Sequence, residues 1–177
     1  LSVIGERLLE SINAQFHGDQ ALLLMFDETQ AALYAVSGVG FLAEQLGDVH
    51  ILSEDERIQA ALHSRHPQLL PVDEDWPQAC LPGTDHQSLS ALACIPLWFS
   101  GEVVGAILLI RLAPHPSFTP SDLEMLSIVG GQIANALQNA RLYHEITTTR
   151  DHFWATLNSL HDQVVLLDKD YLIVDAN

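Results

Sequence analysis

From Thr119 to Thr147 the chain carries a pattern that only a helix with covered sides can satisfy. Leu126, Gly130, Ile133, Leu137, Ala140, His144 and Thr147 alternate steps of four and three, the seam of a helix that packs against a partner helix. Leu123, Val129, Ala136, Tyr143 and Ile146 widen the stripe beyond a pure coiled-coil seam. The first half of this helix is therefore expected to pack on a sheet of its own chain as well. The second half, more polar after Ala140, is expected to pair with another chain. Thr119, Pro120 and Asp122 supply the start, with Pro120 in the first turn, where a missing N–H costs little.

The remaining elements follow from periodicity and turn chemistry. Ile4, Leu8, Leu9, Ile12 and Phe16 recur at helical spacing and Gly18 follows, which predicts an amphipathic helix over residues 2–17. Ala21 to Phe26 and Ala31 to Ser37 flank a polar turn as a hairpin, with Gly38 and Gly40 breaking the second strand. Phe41 to Leu46 can form a helical turn or two before Gly47. Ser53 and Glu56 form a capping box that opens a helix with Ile58, Ala61 and Leu62 on one face, ending near His66. Leu69 to Val72 reads as a short strand, and Asp73 to about Ser88 as a long loop. Ala91 to Leu97 and Glu102 to Leu112 are the strongest strands, joined through Ser100 and Gly101, with Pro96 marking a bulge or an edge. Beyond Arg150, Phe153, Leu157 and Leu160 continue a helix, and Val164–Leu167 and Tyr171–Val174 form a new hairpin around Asp168.

Composition bounds the partners. In 177 residues, 7 Lys and Arg face 23 Asp and Glu, a formal charge of −16 that would repel nucleic-acid phosphates and anionic lipid. The longest apolar runs fall short of the roughly 20 residues that span a bilayer. Cys80 and Cys94 lack the paired spacing of a zinc site and ask for no oxidising compartment, so a cytoplasmic address is the default. The chain starts at Leu1 and its final residues run into an unfinished strand pattern, which reads as a fragment of a longer protein.

Ser90-Ala91-Leu92-Ala93-Cys94-Ile95-Pro96-Leu97, Gly101-Glu102-Val103-Val104-Gly105-Ala106-Ile107-Leu108, and Phe118-Thr119-Pro120-Ser121-Asp122 leading to Gln132-Ile133-Ala134-Asn135-Ala136-Leu137 resemble, in that order, the GAF domain, a ligand-binding and signalling module. The resemblance covers residues 1–146. Residues 147–177 read as a linker helix and a further module's start, in which Phe153 to Asn177, with Asp168 in the hairpin turn and Asn177 after the second strand, resemble the opening of a PAS domain. That order of modules is similar to bacterial sensor histidine kinases and diguanylate cyclase regulators. The resemblance implies an α+β fold: an antiparallel sheet of about six strands, terminal helices on one face, and small helices plus the long loop over a pocket on the other. It also implies a signal passed along the exit helix and a downstream PAS and kinase or cyclase output domain in the same protein; the seam of Leu126, Ile133, Leu137, Ala140 and His144 adds the expectation of a homodimer through the terminal helices.

Tyr34, Phe41, Trp76, His86 and Ser90 are the candidates for lining a small-molecule pocket, weighed against core or lid packing for the aromatics and a strand-entry cap for Ser90. Other patterns have simpler readings. Gly38-Val39-Gly40-Phe41-Leu42-Ala43 matches a dinucleotide fingerprint, but no βαβ crossover follows, so a tight turn explains it. His144-Glu145 lacks the phosphoacceptor continuation of histidine kinases, and His63 with His66 lacks a third metal ligand. Cys80 is followed by Leu81 where bilin-binding relatives carry His, and Cys94 on an apolar strand reads as a buried small hydrophobe. Phe26-Asp27-Glu28 matches part of a cyclic-nucleotide signature but sits at a turn. Leu89 stands where the family often has Arg, which disfavours an anionic ligand. No bilin, haem, NAD or metal signature is specific enough to name a cofactor. A non-catalytic sensory module is the leading function. The alternatives are a free methionine sulfoxide reductase, whose chemistry needs several pocket cysteines, and a ligand-free structural dimerisation module.

Overall fold

A two-residue turn organises the sheet. Ser100 and Gly101 hold φ of 50° and 91°, left-handed at both central positions as a type I′ hairpin demands, and they join β5 (Leu89–Phe99) to β6 (Glu102–Leu112). The computed structural model describes residues 2–27, 32–40, 46, 50–52, 56–71, 88–159 and 165–176. β6 pairs on its other side with β1 (Gln20–Asp27), which pairs with β2 (Ala32–Val39). Two three-residue strands, β3 (His50–Leu52) and β4 (Gln68–Leu70), complete an antiparallel sheet of order β3-β2-β1-β6-β5-β4. β2 runs through Gly38 rather than breaking there; the reversal waits for Gly40, whose φ is 80°. Pro96 pairs with Ala106 and lies past the Leu92–Cys94 stretch that β4 covers, with a register shift just beyond it at Leu97/Trp98.

The central strands are apolar on both faces because both faces are covered. Ala21, Leu23, Met25, Ala91, Ala93, Ile95, Leu97, Ile107 and Leu109 pack under α1 (Ser2–Gln15) and the first part of α3 (Pro120–Ser159). Leu22, Leu24, Leu33, Leu92, Cys94, Leu108 and Ile110 pack under α2 (Glu56–His63). The α+β arrangement with terminal helices on one face is therefore present. The long loop and Ser53 lie outside the described residues.

Local chemistry sets the helix ends. α1 stops two residues earlier than its apolar spacing predicts, because His17 turns left-handed at φ 48° and the Gly18 N–H donates back to the Asn13 carbonyl. α2 stops at His63, before the expected His66: the Ser64 hydroxyl bonds the Ala61 carbonyl and Arg65 adopts φ 59°. α3 begins with a reciprocal cap. The Thr119 N–H donates to the Asp122 carboxylate at 2.8 Å, and the Asp122 N–H to the Thr119 hydroxyl at 3.2 Å.

The chain forms two compact units, Leu1–Gln138 and Asn139–Asn177. The first closes eight residues before the expected boundary at residue 146, since Leu137 is the last α3 side chain buried against the sheet. The second unit holds the rest of α3 and a hairpin of β7 (Val165–Leu167) and β8 (Ile173–Ala176). Its turn takes Tyr171 at φ 62°, while an Asp168 carboxylate oxygen accepts the Asp170 and Leu172 N–H groups, so the second strand starts at Ile173 rather than Tyr171.

Candidate functional site: two sheet faces and the exit helix

The face under α2 is where a pocket was expected, and its buried strand side chains are aliphatic apart from the Cys94 thiol and, opposite Ile110, Gln20, whose amide donates to the Gly40 carbonyl at 3.0 Å. Burial pushes that thiol up to about 12, so it stays protonated and unreactive at neutral pH. Trp98 pins α2 to β5: its indole N–H donates to the Leu62 carbonyl at 3.0 Å, and the Arg65 guanidinium lies 4.4 Å over its ring.

Of the five pocket candidates, the structure describes two, Tyr34 and Ser90. Tyr34 sits opposite Met25 in the β1–β2 register and shares its face, with the terminal helices, at 37% exposure. Strand alternation decides this, since Leu33 and Ala35 on either side point toward α2. Ser90 stands at the register shift between Leu89 and Ala91, and its hydroxyl donates to the His115 carbonyl at 2.6 Å. Its hydrogen is spent tying strand entry to the loop after β6, as the cap reading expects. Phe41, Trp76, His86 and Cys80 lie outside the described residues, as do the side chains of His144 and Glu145. His63 Nδ1 lies 2.8 Å from the Gln59 carbonyl of its own helix. Among the described residues no three His, Cys, Asp or Glu side chains gather as metal ligands.

Sequence reading missed the polar cluster at the far end of β6. Arg111 is 6% exposed. Its Nε and Nη2 donate to the Phe16 carbonyl at 3.3 and 2.6 Å, and its Nη1 to the Pro116 and Ser117 carbonyls at 3.1 and 3.2 Å. The Asp122 carboxylate is 3.7 Å from Nη2, and the guanidinium lies 4.0 Å over the Phe118 ring. Beside it, one Asp19 oxygen accepts the Leu112 N–H at 2.7 Å and lies 2.9 Å from His115 Nδ1. Partial burial pushes the Asp19 carboxyl up, but these two partners and the Arg111 charge outweigh it and hold it below the usual carboxylate value. The signal that could have found the cluster is Arg111 itself, a lone cation ending the apolar run of β6.

The exit helix needs the main correction. Leu126, Ile133 and Leu137 are not a dimer seam: all three are buried in the core under the sheet, together with Ala134. Gly130 belongs with them, because a Cβ there would meet the Ile95 side chain at 2.7 Å. Ala140 is half-buried. Of the second part, Leu142, Tyr143, Ile146 and Phe153 are exposed.

A family model described as GAF domain matches residues 1–137. The chain belongs to the GAF domain family. Solved structures share its fold: the second GAF domain of DevS from Mycobacterium smegmatis (TM-score 0.64, 20% identity, 81% of this chain and 97% of that one), and a domain of a putative two-component sensor histidine kinase from Sinorhizobium meliloti 1021 (TM-score 0.61, 21% identity, 81% and 95%). Among curated proteins, the anaerobic nitric oxide reductase transcription regulator NorR of Salmonella paratyphi B is 26% identical over 144 residues, 80% of this chain. The match spans 28% of that relative's length. No described helix of this GAF protein is long and apolar enough to cross a membrane.

Proposed function

We propose that this chain is a non-catalytic sensory module of a cytoplasmic bacterial signalling protein of the sensor histidine kinase type, relaying a change in its sheet along α3 to a PAS and output domain as a homodimer. The observation that carries the reading is α3 itself: one helix of 40 residues that begins as part of the domain core and continues with exposed apolar side chains. Leu142, Ile146 and Phe153, with Thr149 between, follow the four-three-four spacing of a helix-pairing seam. This moves the expected dimer contact off Leu126, Ile133 and Leu137 and onto the later turns. A small molecule over the α2 face would meet mostly apolar strand side chains, which suits an apolar ligand and disfavours an anion. The same relay would serve a transcription regulator such as the NorR relatives. The buried, protonated Cys94 argues against the sulfoxide reductase alternative.

Light scattering tests the dimer. The native chain is expected at twice its monomer mass and Ile146→Glu at the monomer mass, with unchanged circular dichroism. A native monomer, or a variant that keeps the dimer mass, overturns this part of the reading.

A further inference from the structure

We propose that Arg111 is a joint that makes the end of α1 and the start of α3 open and close as one body with the central strand β6. The role rests on the relay reading above, since a helix that carries a signal must be fastened to the sheet that receives it.

The chemistry is specific to a guanidinium. Just past α1, the Phe16 carbonyl is among those a helix end leaves without an intrahelical donor, and Pro116 and Ser117 lie in the non-helical segment before α3. Arg111 supplies all three with donors from one rigid plane, Nε and Nη2 toward α1 and Nη1 toward the α3 approach. An ammonium at the same place is a single point and cannot hold both sides in fixed geometry. The fork also shares the Asp122 oxygen that accepts the Thr119 N–H, so joint and helix cap meet at one atom.

Strand geometry gives the joint its lever. Ile110 packs toward α2 while Arg111, the next residue, faces the terminal helices. A displacement of β6 caused from the α2 side therefore moves the guanidinium directly. Asp19 and His115 bracket the same junction by holding Leu112 and the following loop.

Native-state hydrogen exchange of the whole chain, read amide by amide over low urea concentrations, tests this. In the native protein the last turn of α1 with Phe16 just beyond it (residues 12–16) and the first turns of α3 (residues 123–127) should share one urea dependence with β6. In Arg111→Met the last turn of α1 should exchange at least tenfold faster than the α3 turns, with a smaller urea dependence of its own, while β1 and β6 amides shift less. A merely structural arginine would instead speed all these amides by a common factor, and that result overturns the proposal. Separate openings in the native chain overturn it as well. Should Arg111→Met fail to fold, Arg111→Lys is read by the same split, and a common factor there has the same meaning. The dimer mass of Ile146→Glu does not enter this outcome, so the two proposals fail separately.

Discussion

Leu126, Ile133 and Leu137 in the first part of α3 are 1, 4 and 2% exposed, whereas Tyr143, Ile146 and Phe153 in the later part are 76, 69 and 49% exposed. The helix is continuous through both stretches, and both carry apolar side chains at helical spacing. The early turns are held by what they bury under β5 and β6; the later turns have no such cover within their own unit among the described residues. Helical periodicity reports that a stripe will be buried. It does not report by what, and most helix stability in proteins comes from that burial rather than from propensity.

The sharpest test of this contrast is a pair of truncations. Leu126→Ala should cost about 2–5 kcal/mol in urea unfolding, the range for deleting a buried leucine. Ile146→Ala should stay within about 0.5 kcal/mol at protein concentrations low enough to keep the chain monomeric. Equal costs would erase the distinction between the two parts. Removing the cap comes next: Thr119→Ala should lose about 1 kcal/mol and speed amide exchange in the first turns of α3 while leaving exchange near Ile146 unchanged. The smallest effect concerns Asp19. Its carboxyl is held below the usual value in the folded chain, so its contribution is present above the ordinary carboxylate range and is lost as pH falls through the depressed value. Asp19→Asn should therefore flatten the acid limb of a stability–pH curve and change little near neutrality. An unaltered acid limb would remove Asp19 from the contacts that hold Leu112 and the loop after β6.

Much of the fold was legible. The β5–β6 hairpin announces itself through two apolar runs around Ser100-Gly101, and the start of α3 through Thr119, Pro120 and Asp122. β3 was not legible, because three residues carry no periodicity, and it exists only by pairing with β2. Tyr34 lies on the other face because a strand's two faces are equivalent until neighbours fix the register, and the bond of Ser90 was not legible because its partner lies 25 residues away. Arg111 escaped notice because its significance lies in three backbone carbonyls, and backbone carbonyls leave no trace in residue identity.

What the amino-acid order determined alone was local: which segments turn, which run as helix or strand, and that the field of 23 acids against 7 bases is strongly negative. Only the tertiary structure decided which side of each apolar stripe meets the sheet. Gly130 shows why. Its missing side chain lets α3 approach Ile95, and that close contact, between residues 35 positions apart, goes with the burial of Leu126, Ile133 and Leu137, while Tyr143, Ile146 and Phe153 of the later turns stay exposed.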